Sequence, residues 1–140
     1  MTIPPEPAAA KATFVHGVRI YWEDTDAGGV VFYANYLKYF ERARTEWLRT
    51  LGIEQQALRE GCGAIFIVSH AALHYLSPAR LDDWLRVSVA VEELRPVTMR
   101  LKQQAWHELR LLCEAEIRIA CVDAGTFKPR RIPTEVMSRL

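Results

Sequence analysis

Between residues 23 and 36 the chain reads Glu23-Asp24-Thr25-Asp26-Ala27-Gly28-Gly29-Val30-Val31-Phe32-Tyr33-Ala34-Asn35-Tyr36, with acidic residues and a glycine pair just ahead of an amphipathic stretch. Backbone N–H groups at a helix start have no intrahelical acceptor and sit at the positive end of the helix dipole. Such a corner can hold an oxyanion. A carboxylate a few residues upstream could then attack, or direct water at, a carbonyl carbon whose oxygen those donors receive. The competing reading gives Asp24 and Asp26 local work only, as Asx-turn and capping residues.

Other chemistries lack their residues. The chain has no G-x-G-x-x-G, G-x-x-x-x-G-K-[ST], H-E-x-x-H or G-x-S-x-G pattern. The histidines are scattered at 16, 70, 74 and 107. His70 and His74 would lie on one face of a strand about 13 Å apart, too far to share an ion, so no metal site is expected. Cys62, Cys113 and Cys121 are odd in number and contain no C-x-x-C pair, which argues against a disulfide framework and a structural zinc site and suits a reducing compartment.

The elements that must position the acidic segment follow from periodicity. Phe14 to Trp22 is β-branched and aromatic and reads as a strand. From Asn35 to Leu51 the period becomes 3.6: Tyr36, Phe40, Ala43, Trp47 and Leu51 fall on one arc, widened by Leu37 and Leu48, which predicts the one long helix. Asn35 is its candidate N-cap and Gly52 its C-terminal stop. Arg44 falls inside the apolar arc with Glu41 one turn back, as an ion pair or as part of a subunit interface or ligand site. Ile53 to Arg59 predicts a short helix closing at Gly61. Every segment after Gly63 reads as strand: a long, bent central strand from Ala64 to Leu76, then alternating runs at Leu85–Val91, Val97–Leu101 and Cys113–Cys121. Short connections at Leu94–Pro96 and His107–Arg110 suit hairpins, so the sheet is mostly antiparallel. The result is an α+β plan with one helix covering a curved sheet.

A length of 140 residues predicts a single domain over 13–140, preceded by a Pro/Ala-rich flexible tail over 1–12. Half the residues are hydrophobic and a quarter charged, which excludes a disordered chain. A formal net charge of +1 gives no reason to expect nucleic-acid binding. No run approaches the length of a membrane span or a signal peptide, so the expected location is cytoplasmic.

The stretch YWEDTDAGGVVFYANYLKYFERARTEWLRTLGI closely resembles the start of the hotdog-fold acyl-CoA thioesterases of the 4-hydroxybenzoyl-CoA thioesterase family, above all their Tol-Pal-associated YbgC-type branch. The resemblance continues through Ser77-Pro78-Ala79-Arg80-Leu81-Asp82-Asp83 and Cys121-Val122-Asp123 to Lys128-Pro129-Arg130. It implies a five-stranded, mostly antiparallel sheet wrapped around one long central helix. It also implies that Asp26 is catalytic, as nucleophile or general base, while the backbone around Gly28, Gly29, Val30 and Tyr33 holds the acyl oxygen. YbgC-type members commonly have His at the Tyr33 position, and Glu where His74 stands.

The activity so implied is hydrolysis of a CoA thioester, with CoA as substrate, no cofactor, and acyl carrier protein as a second carrier to consider. In this family two sheets join edge to edge with the active site between subunits; a homodimer at least, and a tetramer by preference, is expected. The CoA phosphates need local cations, for which Lys128, Arg130 and Arg131 form the densest run, with Arg95 in a hairpin that could lie near them. Three alternatives stay open: a hotdog dehydratase or hydratase, a thioesterase using Glu41 or Glu46 on the helix, and a non-enzymatic acyl-binding or envelope-assembly protein.

Overall fold

The computed structural model describes residues 13–140, so the tail expected over residues 1–12 lies outside the described residues. Strand β1 (Phe14–Arg19) is followed by a 3-10 turn (Trp22–Asp24), helices α1 (Asn35–Thr50) and α2 (Gln55–Cys62), strands β2 (Ala64–Tyr75), β3 (Trp84–Leu94), β4 (Thr98–His107) and β5 (Arg110–Asp123), and a single turn, α3 (Thr134–Met137). The strands form one antiparallel sheet in the order β1-β3-β4-β5-β2. The α+β plan of one long helix and five strands is the one expected, including both hairpins.

Register sets the buried face. Val18 pairs with Leu85, Val87 with Ala105 and Leu101 with Ile117, so the apolar members of each alternating strand share one side. They join the core with Tyr36, Tyr39, Phe40, Ala43, Trp47 and Leu48 of α1. Gln103 is fully buried among them. Its Nε2 donates to the carbonyls of Phe40 (3.0 Å) and Ser88 (3.3 Å), and its Oε1 accepts from Arg44 (2.9 Å). A buried amide satisfied in this way ties α1 to the middle of the sheet.

The helix face is rotated from the expected one. Tyr39 is fully buried, whereas Leu37 is exposed. The expected Glu41–Arg44 ion pair is absent from the ion pairs of the described residues, because the Arg44 guanidinium reaches across to Gln103 instead.

Other boundaries also differ. β1 stops at Arg19, because the Asp24 carboxylate accepts the Tyr21 N–H (2.7 Å) and coils Trp22–Asp24 into a 3-10 turn. Asn35 is the first helical residue, not the N-cap; that place falls to Ala34. α2 runs on to a left-handed Gly63 (φ 74°), past Gly61. β2 lies at the sheet edge, not in its centre, and its apolar run leaves Ile67 and Val68 exposed. The short helix α3 after Pro133 was not expected; one turn is too brief to show a period.

Candidate active site

The acidic segment folds into a miniature hairpin. The Asp26 N–H donates to the Val30 carbonyl (2.9 Å), Gly29 N–H returns to the Asp26 carbonyl (2.9 Å), and Phe32 N–H reaches the Asp24 carbonyl (2.9 Å). Gly29 takes φ 78°, a left-handed conformation that closes a three-residue loop as a glycine bulge and that a side chain would strain. This hairpin is bridged to the chain beyond β2: Val30 pairs with Arg80, and Val31 N–H donates to the Ala79 carbonyl (2.9 Å). The loop is therefore held on both sides.

Asp26 sits where the hairpin turns, and it is exposed. Its Oδ1 accepts the Gly28 N–H at 2.8 Å, an Asx turn that fixes the carboxylate plane. The local and the chemical readings of Asp26 are compatible, since one oxygen orients the group while the other takes no hydrogen bond among the described residues. Asp24 is differently employed. Its carboxylate caps the 3-10 turn, and its carbonyl accepts from both Phe32 N–H and Asn35 Nδ2 (2.9 Å). Below it the buried Tyr39 hydroxyl is pushed well above its ordinary pKa, first by burial and then by the Asp24 carboxylate.

The residues expected to hold an oxygen divide into two groups. The N–H groups of Gly28 and Gly29 are taken up by Asp26 itself, so these glycines shape the loop. Val30 lends its carbonyl to Asp26 and bridges to Arg80. Tyr33 and Ala34 occupy the corner before α1, and no backbone acceptor among the described residues takes their N–H groups. Tyr33 is 63% exposed. Its carbonyl accepts the Tyr75 hydroxyl at 2.9 Å, and the two rings meet edge to face at 6.2 Å. Tyr75, at the far end of β2, was not singled out from sequence, where it is one more aromatic in an apolar strand.

The helix carboxylates stand apart from this corner. Glu46 is ion-paired with Arg49. Glu41 lies with Arg44 at a cavity of about 260 Å³ walled by Trp47, Leu48, Phe66 and Met99. The four candidate CoA cations are not equivalent. The hairpin of Arg95 does lie beside the basic run, since Ile132 N–H donates to the Pro96 carbonyl (2.8 Å), but Arg95 is ion-paired with Glu93. Arg130 donates to the Cys62 carbonyl at 2.7 Å, bracing the end of α2. Lys128 and Arg131 are exposed and make no ion pair among the described residues.

A sheet wrapped on one helix, with a turn-held carboxylate ahead of that helix's open N-terminus, defines a hotdog thioesterase-like protein, and the comparison with known families agrees. The family model described as thioesterase-like superfamily matches residues 20–140, and the chain belongs to that family. Within it, the chain is 46% identical over 123 residues to the acyl-CoA thioesterase YbgC of Haemophilus influenzae, covering 88% of this chain and 90% of that protein. It is 43% identical over 122 residues to the acyl-CoA thioester hydrolase YbgC of Escherichia coli, covering 86% and 90%. Among solved structures, a hypothetical protein from Aquifex aeolicus superimposes with a TM-score of 0.85 at 31% identity, covering 91% of this chain and 98% of that one.

Proposed function

We propose that the protein hydrolyses acyl-CoA thioesters to a free acid and CoA, with Asp26 as nucleophile or general base. The observation that carries this reading is the Asx turn, which holds Asp26 Oδ1 on Gly28 N–H and leaves the second oxygen free at an exposed hairpin ahead of α1. The thioester oxygen lies against the N–H groups of Tyr33 and Ala34, where the helix dipole favours the charge that builds up as the carbonyl is attacked.

As nucleophile, the Asp26 oxygen bonds to the acyl carbon and the C–S bond breaks, releasing CoA thiolate. Water then cleaves the mixed anhydride and restores the carboxylate. As general base, Asp26 takes the proton of the attacking water, and the same C–S bond breaks. A thiol pKa of about 8.5 makes the thiolate a tolerable leaving group near neutral pH, so neither route requires a separate acid. No cofactor enters this scheme.

Two further parts belong to the proposal. Lys128 and Arg131 hold the CoA phosphates, supported by their exposure and by the lack of ion partners among the described residues; acyl carrier protein, which presents the same thioester arm, is a second carrier to test. A second copy covers β2, whose exposed Ile67 and Val68 and unpaired edge backbone are what an edge-to-edge dimer would bury, with a tetramer as the larger assembly. No helix among the described residues is long and apolar enough to cross a membrane. A cytoplasmic site of action and a link to the Tol-Pal system are supported by the YbgC resemblance.

The test is thiol release from a panel of acyl-CoAs. Turnover of at least one member at a rate that depends on Asp26 supports the reading; binding without turnover across the panel returns the fold to a non-enzymatic role.

A further inference from the structure

The loop joining β5 to the C-terminal segment carries an exposed aromatic ring that packing does not explain. Phe127 adopts φ 59°, a left-handed conformation uncommon for any residue with a side chain and strained for a bulky one. Packing offers no return for that strain, because Phe127 is 62% exposed. None of the ring–ring or cation–ring contacts among the described residues involves it.

Slackness does not explain it either. The Asp123 carboxylate accepts from the N–H groups of Gly125 and Thr126 (3.0 Å each) and from the Thr126 hydroxyl (3.2 Å). Phe127 N–H donates to the Asp123 carbonyl (2.7 Å), Asp123 N–H to the Lys128 carbonyl (2.9 Å), and Lys128 N–H to Thr126 Oγ1 (3.2 Å). The loop is braced at nearly every residue, and it presents a phenyl ring to solvent beside Lys128, with Arg131 close behind in sequence.

We propose that Phe127 is the stacking platform for the adenine of a CoA substrate whose thioester lies in the partner subunit. Within one chain the register puts this loop at the Ala64 end of β2, about 36 Å along the strand from Tyr75, whereas antiparallel pairing of two β2 edges brings it to the other subunit's site. The inference rests on the reading of Lys128 and Arg131 as phosphate ligands. In CoA the adenine and the 3′-phosphate hang from the same ribose, so the residue that takes the base must neighbour the residue that takes the phosphate, as Phe127 neighbours Lys128. An aromatic face flanked by cations is the usual platform for a base and its phosphate, since stacking needs only a π-face and the cations follow the backbone charge. A rigid loop suits the task, because the ring is already in place before the ligand arrives.

The test compares wild type, Phe127→Ala and the double variant Lys128→Ala/Arg131→Ala on acyl-CoA, acyl-3′-dephospho-CoA and acyl-pantetheine, with light scattering on each protein. Phe127→Ala should raise KM about tenfold for the two substrates that contain adenine and leave acyl-pantetheine unchanged, with kcat unaltered throughout. The double variant should raise KM most for acyl-CoA, less for acyl-3′-dephospho-CoA, which keeps the pyrophosphate, and leave acyl-pantetheine unchanged. Phe127→Trp should retain the wild-type KM, and Phe127→Gly should raise KM while raising Tm, because it removes the ring and the backbone strain together. Equal KM values for Phe127→Ala and wild type on all substrates, or an altered oligomeric state in Phe127→Ala, would overturn the proposal. A silent Phe127→Ala beside an active double variant leaves the phosphate assignment standing without the stacking. A silent double variant beside an active Phe127→Ala does the reverse.

Discussion

The hydroxyl of Tyr75 donates to the backbone carbonyl of Tyr33 across 42 residues of sequence, at 2.9 Å. The far end of β2 thereby fixes the peptide plane just ahead of α1, whose N–H groups are the proposed oxyanion donors. A carbonyl pinned in this way restrains the next peptide, because φ and ψ are the only soft torsions between them.

The side chain of Tyr33 is expected to matter less than that peptide. Its ring is exposed and its hydroxyl takes no hydrogen bond among the described residues, so Tyr33→Phe should leave kcat within about tenfold. Tyr75→Phe removes the bond to the Tyr33 carbonyl and should lower kcat by about threefold to tenfold with KM little changed, the mark of an interaction that matters most in the transition state. A Tyr33→Phe loss as deep as that from removing the Asp26 charge would make the hydroxyl catalytic.

Gly17 lies under the indole of Trp84, and a Cβ there would approach Cζ2 to 2.0 Å. The indole is itself covered by the Arg19 guanidinium, 5.1 Å from the ring centre. Gly17→Ala must push the ring out and should cost about 1–3 kcal/mol, measured as a fall in the denaturation midpoint at unchanged slope. Retained stability would show that Trp84 rotates away freely.

The three thiols differ in environment. Burial, reinforced by the Glu114 charge, pushes Cys113 up to about 12, and burial also raises Cys121, while Cys62 is exposed at the end of α2. A raised pKa leaves less thiolate at any pH below it, and thiolate is the reacting species. At pH 8 an alkylating reagent should modify one cysteine per native chain, Cys62, and three after unfolding, counted by mass spectrometry. Fast native alkylation of Cys113 would contradict this packing.

Much of the fold is legible in the sequence because period-2 runs such as Cys113–Cys121 and the 3.6 period of Tyr36–Trp47 are direct consequences of one-sided burial. What escapes is whatever depends on contacts distant in sequence. The apolar run of β2 cannot tell an edge strand awaiting a partner from a central one, and the exchange of Leu37 for Tyr39 on the buried face follows from how α1 lies on the sheet. At the site, the glycine pair and Asp26 were visible as types and spacing. That Gly28 and Gly29 give their N–H groups to Asp26, and that Tyr75 holds Tyr33, required the folded chain.

The edge strand gives a prediction of its own. Light scattering at micromolar concentration should find a dimer or tetramer, and Val68→Lys, which places a charge on the exposed apolar stretch of β2, should shift it toward monomer and lower activity together. A fully active wild-type monomer would remove the second copy from the account.

The central claim concerns one carboxylate. Asp26→Asn keeps the shape of the Asx turn, since the amide oxygen can still accept the Gly28 N–H, but it removes the charge and the basicity. In a single-turnover assay on the best acyl-CoA substrate, Asp26→Asn should lower the rate by at least about 10² with an unchanged circular dichroism spectrum, while Asp24→Asn loses far less. A wild-type rate from Asp26→Asn would contradict the account and move the chemistry to Glu41 or Glu46 on α1.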